Sequence, residues 1–278
     1  MQIDHRDLTY ASIARSRSGR ILIKIIENLT GRPRLLWRLR SVPERVAAGE
    51  PLWPSLLDAY ELTLRRHGPA LAKDGSSLVI CNHPYGLIDG LALCALLAET
   101  GRPFRVVAND VFAKVPALQP HILPISFAQG RDTARANLAT RRAASTALRD
   151  GEIVALFPAG ATASPPRPFA APHEGTWSSF AARLVIESGA SVQPVFMPPT
   201  RRWAFDNLGF IAANLRHALQ INGVSRRIGT TIDVHVGEPF DPRDGPSMTI
   251  GELTERLRRS VLELSRDPID PAITGRRF

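Results

Sequence analysis

His83 and Asp89 stand six positions apart in the stretch Val79-Ile80-Cys81-Asn82-His83-Pro84-Tyr85-Gly86-Leu87-Ile88-Asp89-Gly90, directly after an apolar run from Leu78 to Cys81. Imidazole titrates nearest neutrality of all side chains, and a carboxylate on its far nitrogen fixes the tautomer and stabilises the cation formed when a hydroxyl gives up its proton. The same two residues also describe a buried histidine satisfied by a nearby carboxylate, so the context matters. Here the histidine follows a strand and the aspartate opens a helix. Gly86 and Gly90 let the backbone turn here, and Pro84 blocks continuation of the strand. The arrangement reads as a base and its orienter at a strand end, able to activate an alcohol without a metal.

Other chemistries find no support. His121, His173, His217 and His235 have neither metal-ligand spacing nor a carboxylate cluster beside them, so no metal site is expected. There is no G-x-S-x-G elbow, no glycine-rich loop ending in lysine and no G-x-G-x-x-G. Cys81 and Cys94 are too far apart for a C-x-x-C pair and lie in apolar surroundings, which reads as two reduced packing thiols in a cytosolic compartment.

The elements that must position the pair are short β-rich runs at Leu78 to Cys81, Phe104 to Ala108, Ile122 to Phe127, Ile153 to Phe157, Val192 to Met197 and Thr231 to Val236. Helical patterns lie between them at Asp89 to Glu99, Asp132 to Leu148 and Thr176 to Glu187. Such alternation predicts an α/β fold, one domain with a mostly parallel central sheet flanked by helices. Further amphipathic helices are expected at Leu52 to Arg66, Phe205 to Gln220 and Ile250 to Ser265. The proline clusters at 165–168 and 198–199 read as loops over the working edge of the sheet. With 278 residues and 44% hydrophobic content, the chain can build a large core.

The net charge is +9, almost wholly from arginine, since Lys24, Lys73 and Lys114 are the only lysines. Aromatic residues make up 6% and no nucleic-acid motif appears, so an anionic membrane surface or an acidic substrate suits this charge better than nucleic acid. An arginine-rich genome would produce the same bias with no partner. No window is apolar for the length a membrane span needs, and residues 1–6 lack the core of a signal peptide. Residues 1–50 form a basic amphipathic N-terminal segment, interleaving Ile21, Leu22, Ile25, Leu29 and Trp37 with Arg17, Arg20, Lys24, Arg32 and Arg34; residues 51–278 form the main domain. Two readings stand for the segment: a helix lying in a headgroup layer, and a helix packed on its own domain with a solvated basic face.

Four blocks in order resemble the lysophospholipid acyltransferase superfamily, which includes bacterial 1-acylglycerol-3-phosphate acyltransferases and ornithine-lipid O-acyltransferases. Asn82-His83-Pro84-x-Gly86-x-x-Asp89-Gly90 is similar to its His…Asp block, and Ile122-Leu123-Pro124-Ile125 through Gly130-Arg131-Asp132 to Arg135 to its second. Phe157-Pro158-Ala159-Gly160 resembles the third block, usually Phe-Pro-Glu-Gly, and Val192-Gln193-Pro194-Val195 the fourth. The blocks cover roughly residues 75 to 240.

The resemblance implies a glycerolipid acyltransferase-like fold. It also implies direct transfer of an acyl group from an acyl-carrier protein or coenzyme A thioester to a lysolipid hydroxyl, with no cofactor and no acyl-enzyme. His83 would be the base and Asp89 its orienter. Asn82, Gly86, Arg131, Arg135, Phe157, Pro158, Gly160 and Thr162 would meet the substrates, the two arginines gripping anionic groups. The implied place is the cytoplasmic face of the inner membrane, as a peripheral or monotopic protein. Two departures stand out. Five residues separate His83 from Asp89 where the family commonly has four, a form found in the ornithine-lipid and hemolysin-like branch, and Gly86 can absorb the extra one as a bulge. Ala159 replaces the usual Glu, and Ala161-Thr162-Ala163 lacks the usual Thr-Arg pair. Those two family residues are implicated in holding glycerol phosphate, so the departures leave room for an uncharged or aminolipid headgroup. They also motivate a rival reading, a non-catalytic lipid-binding protein on a membrane surface that keeps the fold.

Overall fold

The structure is a computed structural model that describes residues 16–126, 130–163, 174–199 and 223–265. Within these, the chain begins with four helices, α1 (Arg17–Leu29), α2 (Arg32–Leu39), α3 (Val42–Ala47) and α4 (Leu52–Ala59). There follow β1 (Thr63–His67), β2 (Ser77–Cys81), α5 (Leu87–Ala98), β3 (Phe104–Asn109), β4 (Ile122–Ile125), α6 (Arg131–Arg149), β5 (Ile153–Leu156), α7 (Phe180–Ser188), β6 (Ser191–Phe196), β7 (Thr231–Val236) and α8 (Ile250–Leu262). The strands form one sheet in the order β1-β7-β6-β2-β5-β3-β4. All neighbours are parallel except β6 and β7. The mostly parallel α/β sheet expected from the alternation is therefore present, with its one antiparallel step at β7.

β2 is central and reads Ser-Leu-Val-Ile-Cys, every residue buried. A strand covered on both faces has no polar side to present. Leu78 and Ile80 join the layer built by α6, α7 and α8, while Val79 and Cys81 face the layer built by α2, α4 and α5. α5 (Leu-Ile-Asp-Gly-Leu-Ala-Leu-Cys-Ala-Leu-Leu-Ala) is apolar all round, and it is correspondingly buried nearly all round. Both cysteines are free and buried.

One expectation fails instructively. The periodicity predicts a helix from Leu52 to Arg66, but α4 stops at Ala59 and β1 begins at Thr63. Leu62 donates its N–H to the carbonyl of Leu57 (2.9 Å) and Glu61 donates to Asp58 (2.9 Å), with Glu61 at φ 52°. This is a Schellman closure, which ordinarily announces itself by a glycine at the left-handed position. Here a glutamate takes that conformation, so the stop signal is missing from the sequence. Likewise α7 starts at Phe180 rather than Thr176, because Ser178 is held in a strap by its N–H (3.0 Å) and hydroxyl (3.1 Å), both donating to the carbonyl of Pro158. The expected helix Phe205 to Gln220, the proline cluster at 165–168 and Phe127 lie outside the described residues.

Register positions the site. β2 runs level with β5 (Ile80 beside Leu156) and with β6 (Cys81 beside Val195). The segments leaving their carboxyl ends, Asn82-His83, Phe157-Pro158 and Met197-Pro198, therefore meet at one edge, the place where open parallel sheets gather ligands.

Candidate active site

Asn82 fixes the exit from β2. Its buried carboxamide donates to the carbonyl of Met197 (2.8 Å) and accepts from the Met197 N–H (2.7 Å), continuing the β2–β6 pairing one step past the strands. Both functional groups of the amide, directly before His83, are engaged by the main chain of Met197.

The chain then turns sharply. Gly86 sits at φ 83° and caps the start of α5. Asp89 occupies the first turn of α5 and is fully buried. Its Oδ2 accepts from the N–H groups of Tyr85 (2.7 Å) and Gly86 (2.9 Å) and lies 2.9 Å from Nδ1 of His83. A buried carboxylate is tolerated when charge-assisted donors converge on it. Asp89 therefore caps the helix and orients the imidazole with a single oxygen. A carboxylate at Asp89 accepts from a protonated Nδ1, and a neutral imidazole so held would have its lone pair on Nε2, the form a general base needs. The His83 side chain is 18% exposed, enough to be reached from the sheet edge while its partner is sealed beneath it.

Phe157 leaves β5 and lays its ring on that of His83, with centroids 4.2 Å apart and planes inclined by 23°. Pro158 is buried and its carbonyl anchors the strap at Ser178. Gly160, at φ 68°, closes a turn by donating to the Phe157 carbonyl (2.9 Å). Thr162 is half-buried, and the next residue, Ala163, donates its N–H to the carbonyl of His83 (2.8 Å). The structure thus brings Asn82, His83, Gly86, Asp89, Phe157, Pro158, Gly160 and the backbone beside Thr162 to one edge.

Arg131 and Arg135 stand apart. Both are exposed on the first turns of α6, directly after β4. β4 lies three strands from β2, about 14 Å at the usual strand spacing. They share the working edge, but only a substrate long enough to span that distance would touch both them and His83.

Three residues that drew no attention in the sequence also belong here. Tyr85 donates its hydroxyl to the carbonyl of Pro198, and the guanidinium of Arg227 lies over the Tyr85 ring, 3.4 Å from its centroid. Glu174 is buried and accepts from the N–H of His83 (3.2 Å) through Oε2 and from the indole N–H of Trp177 (3.3 Å) through Oε1. Burial pushes the Glu174 carboxyl above its ordinary range, against the pull of those donors and of His83, with Asp89 adding to the rise. The only signal for it in the sequence is negative: it is the sole carboxylate between Glu152 and Glu187. Among the described residues no group of three or more His, Cys, Asp or Glu is placed to hold a metal ion.

Residues 63–198, from β1 to just past β6, match the model of the acyltransferase family. The matched segment contains the His83 turn, the Phe157 turn and the strap with Glu174. Among solved structures, the chain is similar to the 1-acyl-sn-glycerophosphate (LPA) acyltransferase PlsC from Thermotoga maritima, at 17% identity and a TM-score of 0.45, covering 92% of this chain and 86% of that one. No curated protein matches the sequence.

Proposed function

We propose that this chain is an acyltransferase, moving an acyl group from an acyl-carrier protein or coenzyme A thioester to the hydroxyl of a lysolipid. The observation that carries this reading is the short contact between His83 Nδ1 and the buried Asp89 carboxylate, at the sheet edge, inside the matched segment. Nε2 of His83 takes the hydroxyl proton as the oxygen attacks the thioester carbonyl, and the imidazolium is stabilised by Asp89. The tetrahedral intermediate collapses by expelling the thiolate, which recovers the proton from His83 and leaves as a thiol. One ester bond forms and one thioester bond breaks. Main-chain N–H groups at the strand end or in the loop around Gly160, other than that of Gly160 itself, which donates to Phe157, would stabilise the oxyanion, and holding both substrates at one edge supplies much of the rate.

Ala159, where a carboxylate would help hold glycerol phosphate, favours an aminolipid acceptor such as a lyso-ornithine lipid over 1-acylglycerol-3-phosphate. The intact pair argues against the non-catalytic lipid-binding alternative.

The acceptor is presented at a membrane surface, on this reading the cytoplasmic face of the inner membrane. α1 turns Ile21, Leu22, Ile25 and Leu29 outward within about a 100° arc, Leu29 being 81% exposed, and Trp37 of α2 is 58% exposed. Arg17, Arg20 and Lys24 flank that arc. No helix of the described residues is long and apolar enough to cross a membrane. A basic rim around an apolar face is the composition of a segment lying in the headgroup layer.

The test is incubation of the purified chain with acyl-carrier-protein and coenzyme A thioesters and a panel of lysolipids, with products identified by mass. An acylated lysolipid, with the aminolipid acceptor preferred, is expected; hydrolysis alone, or no turnover of any pair, would defeat the reading.

A further inference from the structure

We propose that Glu174 is a positioning residue for His83: a second buried carboxylate that holds the histidine's main chain while Asp89 holds its ring, and that stabilises its cation. The inference rests on His83 being the base, and it adds a group that neither the family match nor the His…Asp block assigns.

The geometry carries it in three ways. First, Glu174 touches His83 itself, through the N–H at 3.2 Å, while Ala163 clamps the carbonyl of the same residue at 2.8 Å. The ring, N–H and carbonyl of His83 are thus each held by a different segment: α5, the strap before α7 and the loop after Phe157. Second, both oxygens of Glu174 accept, one from His83 and one from Trp177. A carboxylate suits two donors, whereas a carboxamide would turn its own N–H₂ toward one of them. Third, Ala159 makes room. A Cβ at Gly175 would lie 3.9 Å from that of Ala159, so the strap runs against this small residue, and a larger side chain at 159 would press on it. The carboxylate missing from the third block is in this way compatible with another one reaching the histidine from further along the chain.

The charge on His83 favours ionised Glu174, and such coupling is reciprocal, so ionised Glu174 favours cationic His83. The titratable groups sharing this space are Asp89 of α5 and the Cys81 thiol of β2, which burial and the two carboxylates push upward. A base that is also a transient cation gains from this arrangement, because the positive charge formed during transfer is met by two fixed anions rather than by water.

The experiment follows the His83 imidazole by NMR in the full-length chain labelled at histidine, over a pH titration without substrate, in wild type, Glu174→Gln and Trp177→Phe. Glu174→Gln is expected to make His83 take up its proton at lower pH, by about half a unit to one unit. Trp177→Phe keeps the carboxylate but removes one donor to its charged form, and is expected to shift His83 the same way by less. In the transfer assay the acid limb of the pH–rate profile moves with the NMR midpoint. kcat of Glu174→Gln falls on the order of tenfold while the thioester KM stays within about twofold. An unmoved His83 midpoint in both variants overturns the inference, and if Glu174→Gln does not fold, Trp177→Phe decides it alone. His83→Ala separates the two layers: transfer surviving that change defeats the proposed function, whereas transfer lost there with His83 unmoved by Glu174→Gln defeats only this inference.

Discussion

The turn after β2 and the outer face of α1 break the same rule in opposite directions. At the turn, Asn82, Asp89 and Glu174 are buried polar groups, each engaged by main-chain or side-chain partners. On α1, Ile21, Leu22, Ile25 and Leu29 are exposed apolar groups. Neither arrangement helps a monomer fold in water: buried polar groups cost free energy that hydrogen bonds only offset, and exposed apolar groups forgo burial. Both make sense if a reaction is run at one place and the protein is held against a surface by the other. The core between them follows the ordinary rule, with Leu78, Ile80, Leu93 and Leu97 sealed.

The comparison predicts a sharp division of phenotypes. His83→Ala and Asp89→Asn should each cost about 10²–10⁴-fold in transfer rate with circular dichroism and vesicle binding retained, as measured in a steady-state assay. A near-wild-type rate for Asp89→Asn would reduce Asp89 to a helix cap. On α1 the effects should invert. Leu22→Asp removes an apolar contact worth about 1.5–3 kcal/mol if it is buried in lipid, and Arg20→Ala removes about 1 kcal/mol of attraction to anionic vesicles. Sedimentation with vesicles should show both losses while turnover of a soluble short-chain lysolipid stays unchanged, and raising salt should abolish the arginine effect but not the leucine one. Binding indifferent to all three changes would return α1 to a helix packed on its own domain.

The smallest effect is one of slope. The Glu174 carboxyl is raised by burial, so the folded chain holds that proton more tightly than the unfolded chain does. Its contribution to stability is therefore complete below the ordinary carboxyl value of 4.5 and is lost as pH rises through the raised one. Denaturant unfolding followed upward from pH 4.5 should show this decline in wild type and its absence in Glu174→Gln.

The sequence makes the His83 turn legible because its parts are close along the chain: a β-run, an Asn-His-Pro exit, a glycine and a helix-opening aspartate. The four blocks are legible because parallel register converts their order into one sheet edge. Glu174 is not, since it reaches His83 across 91 positions and rests in a small-residue stretch without periodicity. β1 is hidden for a local reason, the left-handed Glu61 that ends α4 where a glycine would have signalled a stop. Arg131 and Arg135 are legible as candidates for anionic groups, but their distance from His83 is not, because it depends on the two strands that stand between β4 and β2. Within residues 16–50, Ile23, Leu35 and Leu39 are buried while Leu29 and Trp37 are exposed, a split that apolar content alone does not reveal.

The central claim is that His83 passes an acyl group directly from thioester to lysolipid. A single-turnover reaction with a thioester labelled in its acyl chain, quenched over time and separated into protein, thioester and lipid, tests it most directly. The account predicts that label moves from thioester to lipid with none retained on wild-type protein, and that it stays on the thioester with His83→Ala. Label accumulating on the protein before the lipid, or equal transfer by His83→Ala, would contradict it.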